Sequence, residues 1–127
     1  MGCFDSRVTV YAQQVRALNL VDALLLKNII GPRSRVAVIG GGAAGMTAAA
    51  ALIEAIPDGK IHLFERKDPA LMHLQDGSDR FLHPNLYDWP LEGSIDLYAR
   101  LPILKWKADV SDKVAKHLRG QFEIISR

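Results

Sequence analysis

The sequence predicts an α/β fold built around a parallel β-sheet, and three consecutive segments support this prediction. Residues 35–39 form the short apolar run of a buried strand. A glycine-rich turn follows, and then an alanine-rich stretch, residues 46–56, that is typical of a helix. After a turn at residues 57–59, a second strand over residues 60–65 ends in Glu65. Because strands joined through a helix run parallel, this order predicts a βαβ unit.

An amphipathic helix is predicted ahead of the first strand. Apolar residues recur close to the helical period over residues 8–30, and Gly31-Pro32 is a stop signal. We expect the leucine-rich face to lie against the βαβ unit or, alternatively, to bind a partner subunit. Three charged residues interrupt the pattern, so we do not expect the helix to span a membrane: Arg16, Asp22 and Lys27.

The second half of the chain is less regular. Residues 66–90 lose their periodicity, but their aromatic residues indicate order, so we expect this loop to pack across the carboxyl ends of the strands. A short helix is predicted over residues 94–101, where Pro102 ends it, and another from about residue 109 to Gly120. Residues 122–126 are predicted to form a third parallel strand.

The glycine turn has the spacing of a dinucleotide-binding turn, G-x-G-x-x-G. Gly40 permits the tight turn, Gly42 allows the backbone to approach a pyrophosphate, and Gly45 allows close packing of helix and strand. The helix that opens at Ala43 or Ala44 directs its unpaired N–H groups and its positive dipole end toward the phosphates. An alternative is a strand-to-helix turn that holds no ligand.

Glu65 lies about twenty residues after the turn, at the end of the second strand. A carboxylate at that place accepts hydrogen bonds from a ribose hydroxyl and repels a 2′-phosphate, which disfavours NADP. The sequence therefore predicts a site for a dinucleotide without a 2′-phosphate.

The segment Ile39-Gly40-Gly41-Gly42-Ala43-Ala44-Gly45-Met46, with Phe64-Glu65-Arg66 after it, resembles the amino-terminal FAD-binding part of the two-dinucleotide-fold FAD/NAD(P)-dependent oxidoreductases. The resemblance implies a Rossmann-like three-layer parallel sheet, incomplete here, over residues 35–127, with residues 1–34 as an added N-terminal helix. It implies FAD as cofactor, with NAD disfavoured. The implied cofactor-binding residues, with Glu65 on the adenosine ribose and Arg66 near the adenine, are Gly40, Gly41, Gly42, Ala43, Ala44, Gly45, Glu65 and Arg66.

The resemblance covers residues 35–66 closely, and the Gly-Asp pair that completes the FAD site in this family does not follow. We therefore expect a fragment, a subunit of a split enzyme or a reduced relative, inactive alone, which a partner chain or a homo-oligomer completes. No catalytic residue is assigned. Two other functions stay open: an NAD-binding dehydrogenase fragment, and a non-catalytic module for nucleotide sensing or partner binding.

Charge and composition disfavour several other classes of function. Sixteen Lys and Arg residues against 14 Asp and Glu give a net charge of +2, without a basic block, so we expect no nucleic-acid partner. Cys3 is the only cysteine, which agrees with a cytoplasmic protein. The four histidines lack the spacing of a zinc site, so we expect no metal.

Overall fold

The computed structural model describes residues 8–71, 74 and 79–127, and it is a mixed α/β structure. Its helices are α1 (Val10–Leu26), α2 (Ala43–Ala55) and α3 (Ser111–Ile125). Its strands are β1 (Arg35–Ile39), β2 (Lys60–Phe64), β3 (Phe81–Leu82), β4 (Tyr98–Ala99), β5 (Trp106–Lys107) and β6 (Asp109–Val110), and Leu86–Asp88 form a 3₁₀ turn.

The βαβ unit predicted from the sequence is confirmed. Strands β1 and β2 pair in parallel, from Arg35 opposite Lys60 to Ile39 opposite Phe64, and α2 connects them. One face of this pair contacts helices α1 and α2, because apolar residues alternate along each strand. That small core contains Val21 and Leu25 of α1, Leu52 of α2, Ile56, and the strand residues Val36, Val38 and Ile61.

The opposite face of the parallel pair is exposed to solvent. Ile39 is 80% exposed and Phe64 is 55% exposed, although both are large and apolar. The sequence predicted three layers, but the helices of the described residues lie on one face of this sheet. Parallel sheets are usually covered on both faces, whereas the described residues cover this one on one face only.

A larger core joins α1, α2, α3 and the β4–β5 hairpin. Its polar centre is Gln14 of α1, which is fully buried. The Gln14 side chain accepts a hydrogen bond from the indole Nε1 of Trp106 at 2.8 Å and donates one to the carbonyl oxygen of Leu104 at 3.1 Å. The N-terminal helix is thus bonded to segments about ninety residues away in sequence.

Helix α1 packs along α2, but it is shorter than predicted. It begins after the N-cap Thr9, whose hydroxyl accepts a hydrogen bond from Ala12 N, and it ends at Leu26. Asn28 has a φ of 54°, a left-handed conformation that ends a helix before the Gly31-Pro32 signal is reached. Within the described part of the chain, no helix has both the length and the apolar character to cross a bilayer.

The helix predicted over residues 94–101 is wrong. Turns closed by the backbone N–H groups of Ser94 and Asp96 occupy the first part of this range, and the Asp96 carboxylate accepts a hydrogen bond from Tyr98 N at 3.0 Å. Strand β4 then pairs with β5, and this pairing buries Ala99 beside Trp106. Burial of the indole in the core overrides the local helical pattern.

The strand predicted over residues 122–126 is also wrong, because α3 continues through Gly120 to Ile125. Leu118, Phe122 and Ile125 recur at helical spacing and pack against the larger core. The helix does begin close to the predicted point, at Ser111. The parallel sheet therefore has two strands among the residues that the structure describes.

Candidate functional site

The glycine turn lies directly between β1 and α2, at the carboxyl ends of the two parallel strands. Gly40 has a φ of +104°, a left-handed conformation that strains any residue with a Cβ. Its N–H donates to the carbonyl oxygen of Phe64 at 2.8 Å, which extends the β1–β2 ladder by one bond. The turn is thereby held at the end of β2, beside the residue that follows, Glu65.

Gly45 brings α2 against the turn. A Cβ at this position would lie 1.8 Å from the carbonyl oxygen of Gly40, far inside any allowed contact. The prediction that Gly45 permits close packing of helix and strand is confirmed by this approach. The position of a Cβ is fixed by the helix backbone and its neighbour here is a backbone oxygen, so a side-chain rotation could not relieve the clash.

The first turn of α2 has no side-chain cap. Its N-cap residue is Gly42, in an extended conformation. Ala43, Ala44 and Gly45 line a cleft of about 400 Å³ together with Gly40 and Gly42. The N–H groups at the start of a helix lack intrahelical acceptors and mark the positive end of its dipole. The cleft is therefore suited to an anionic group.

Glu65 is exposed immediately after β2, and its carboxylate is held by backbone donors. One oxygen accepts from Gly41 N at 2.5 Å and the other from Lys67 N at 2.8 Å. These hydrogen bonds lower the pKa of the Glu65 carboxyl, and the one from Lys67 has the largest effect. The positive charge of Arg66 lowers the pKa further. The group is ionised at neutral pH, and a carboxylate with two such bonds retains acceptor positions for further donors.

Gly41 occupies a different place from its neighbours in the turn. It is buried, and its N–H donates a hydrogen bond to the Glu65 carboxylate. A Cβ here would lie 3.0 Å from the Glu65 Cβ and 3.1 Å from the Ala70 Cβ. The sequence grouped Gly41 with the residues that approach a ligand, whereas in the structure it positions the Glu65 carboxylate.

The long loop returns to this edge of the sheet, as predicted, in the part that is described. Leu71 N donates to the carbonyl oxygen of Gly41 at 3.0 Å, and Leu71 is buried. Leu74 and Arg80 line the cleft together with Val8, Thr9, Val10 and Gln13 at the start of α1. Two helix amino termini therefore border one cleft.

Several residues of the cleft were not predicted as site residues, and among those described Arg80 is the charged one. It is exposed and lines the same cleft as the first residues of α2, where the sequence required no cation. Its backbone is fixed because its carbonyl oxygen accepts from Ser111 N at 2.7 Å. No local pattern could have found it, since it lies in the aperiodic segment about forty residues after the turn.

The remaining predicted residues contribute less to the geometry. Arg66 is exposed beside Glu65. No three His, Cys, Asp or Glu residues gather into a metal-binding group in the ranges 8–71, 74 and 79–127. Cys3 and His73 lie outside the described residues.

Comparison with known proteins gives no relative. No family model matches the chain, and neither does any curated protein or any solved structure.

Proposed function

We propose that this chain is the FAD-binding portion of a flavin-dependent oxidoreductase, with a Rossmann-like fold, and that it holds the ADP part of the cofactor. One observation carries the proposal. An uncapped helix start, a left-handed glycine and an ionised carboxylate meet at the carboxyl edge of a parallel strand pair. Open α/β sheets bind their ligands at that edge.

The diphosphate would lie at the start of α2. Ala43, Ala44 and Gly45 offer backbone N–H groups there, and an anion accepts hydrogen bonds from them while it interacts with the helix dipole. Arg80 supports the same location, because a guanidinium binds phosphate oxygens in a bidentate manner.

The adenosine ribose would bind Glu65. Because the carboxylate is an acceptor without protons, it pairs with ribose hydroxyls and repels a 2′-phosphate. Its bonds to Gly41 and Lys67 fix its orientation before a ligand arrives, which reduces the entropy lost on binding.

The sheet supports a further part of the proposal, that a partner chain or a second copy completes the fold. Ile39 and Phe64 expose an apolar face that parallel sheets normally cover. The single cysteine agrees with a cytoplasmic setting. When bound, the flavin supplies the electron-transfer chemistry, and the residues named here bind and orient its nucleotide half.

Equilibrium binding of ADP, FAD and NAD to the purified chain tests the proposal. We expect ADP and FAD to bind, and Gly42→Val to abolish binding, since Gly42 lines the cleft and bulk is added at the residue that the diphosphate must approach. Gly31→Val is the matched control, because a Cβ at Gly31 meets open space. Binding of NAD without FAD would favour the dehydrogenase alternative. No binding of any of the three, or equal binding by Gly42→Val, would contradict the proposal.

A further inference from the structure

A second cavity, of about 710 Å³, lies between the β4–β5 hairpin and α3. Its described lining shares no residue with the cleft at the glycine turn. The volume falls within the range typical of small-molecule sites. It is a separate place where a ligand could bind.

Four residues with long side chains, in the hairpin strands and directly beside them, line this cavity. Tyr98 pairs with Lys107 across the two strands, and both are exposed, while Ala99 and Trp106 pair on the buried face. Arg100 follows β4 and Lys105 precedes β5, and both are exposed. Tyr98, Arg100, Lys105 and Lys107 all line the cavity, and so does His117 of α3.

The positive charge of the residues that line this cavity is only partly balanced by salt bridges. Arg100 forms a salt bridge with Asp96 at 2.5 Å. Among the described residues, Lys105 and Lys107 take part in no salt bridge, and the described lining contains no carboxylate. Lys105 and Lys107 lie two residues apart on the same segment, so an anion between them would offset the repulsion of their like charges.

In this described part of the chain, the positive charge that no salt bridge balances is also confined to the hairpin. On α3, Lys113 and Lys116 pair with Asp109 and Asp112. The uncompensated lysines thus form a local pair and not a stripe along the surface. A stripe would be expected for a nucleic-acid backbone, whereas a local pair suits one acidic group.

The cavity also has an apolar part beside the lysines. Tyr98 is 54% exposed, and the Lys107 Nζ lies 5.6 Å from the centroid of its ring. Leu101 and Trp106 contribute apolar surface deeper in the lining. A ligand with an aromatic ring could lie against these side chains while its acid group reaches the lysines.

We infer that this cavity binds a small aromatic anion, with a carboxylate or phosphate between Lys105 and Lys107 and the ring against Tyr98 and Leu101. The inference does not depend on the proposed FAD site, because the two places use different residues.

Amide chemical-shift mapping with phenyl phosphate tests the inference. We expect saturable shifts at residues 98–107 and at His117, at lower concentrations than phenol or inorganic phosphate requires. The double variant Lys105→Gln/Lys107→Gln should bind about tenfold more weakly, since it loses two charge-assisted contacts. Lys113→Gln/Lys116→Gln removes the same charge from α3 and should bind like the natural chain.

Both substituted lysine pairs are exposed, so the amide spectra of the free variants should report a retained fold. Three outcomes would overturn the inference. These are equal affinity for inorganic phosphate, an unchanged affinity of the Lys105→Gln/Lys107→Gln variant, and tighter binding of a short single-stranded oligonucleotide on the same amides. Shifts at residues 40–45 would show that the probe binds in the cleft at the glycine turn, and they would not support the inference.

Discussion

Replacement of Gly45 by alanine tests the close approach of α2 to the glycine turn. Alanine is the better helix former, and the same change in an open helix raises stability by about 1 kcal/mol. At Gly45, however, the new Cβ would lie 1.8 Å from the carbonyl oxygen of Gly40. The Cβ is fixed by the helix backbone and the oxygen belongs to the backbone of the turn, so α2 would have to move away from β1 by more than about 1 Å in a tightly packed region.

The cost of this displacement should exceed the gain in helix propensity. Overpacking of a rigid site costs about 1–3 kcal/mol, and the upper end applies where only backbone can give way. After the propensity gain, we expect the free energy of unfolding of Gly45→Ala to fall by about 2 kcal/mol. Urea denaturation followed by circular dichroism measures this change.

Gly120→Ala is the matched control for this measurement. Gly120 lies inside α3, and a Cβ there meets open space. The same substitution should raise the free energy of unfolding by about 0.5–1 kcal/mol. If Gly45→Ala proved as stabilising as Gly120→Ala, α2 would not meet the turn in the way described, and the geometry of the site would be wrong.

Three further predictions concern other parts of the fold. Hydrogen bonds to the Glu65 carboxylate lower its pKa in the folded chain. These bonds therefore stabilise the fold above the pKa that Glu65 has in the unfolded chain, and this stabilisation is lost as the pH falls through the pKa of the folded chain. Glu65→Gln should therefore flatten the loss of stability in that acid window, and parallel acid titrations with identical slopes would refute this. Gln14→Leu removes two buried hydrogen bonds and should lower the free energy of unfolding by about 2–4 kcal/mol in urea, whereas Asn19→Leu on the exposed side of α1 should change it little. The hydroxyl of Thr47 is buried without a hydrogen-bond partner among the described residues, so Thr47→Val should raise the melting temperature, and a clear decrease would show that the hydroxyl is bonded.

The segment from Arg35 to Glu65 could be predicted from sequence because its structure is set locally. Gly40 adopts a φ that other residues avoid, alanines favour the helix that follows, and the acid comes directly after the second strand. Each of these signals lies within a few residues of the element that it determines. The strands, the turn and the helix therefore agree with the predictions.

The second half could not be predicted in the same way because distant contacts decide it. Ala99 and Trp106 form a hairpin in which the indole bonds to Gln14, about ninety residues earlier. Phe122 and Ile125 suit a strand or a helix by local pattern, and their packing in the larger core selects the helix. Arg80 reaches the cleft for a similar reason, since its backbone bond to Ser111 anchors an aperiodic segment.

Amide chemical-shift mapping with ADP tests the central claim most directly, that the start of α2 binds a diphosphate while Glu65 binds the ribose. The account predicts saturable shifts at Gly40, Gly42, Ala43, Ala44 and Gly45, and weaker binding in Glu65→Gln. It also predicts that ADP carrying a 2′-phosphate binds less tightly than ADP. The absence of shifts at these amides under saturating ADP, or a preference for the 2′-phosphorylated ligand, would contradict it.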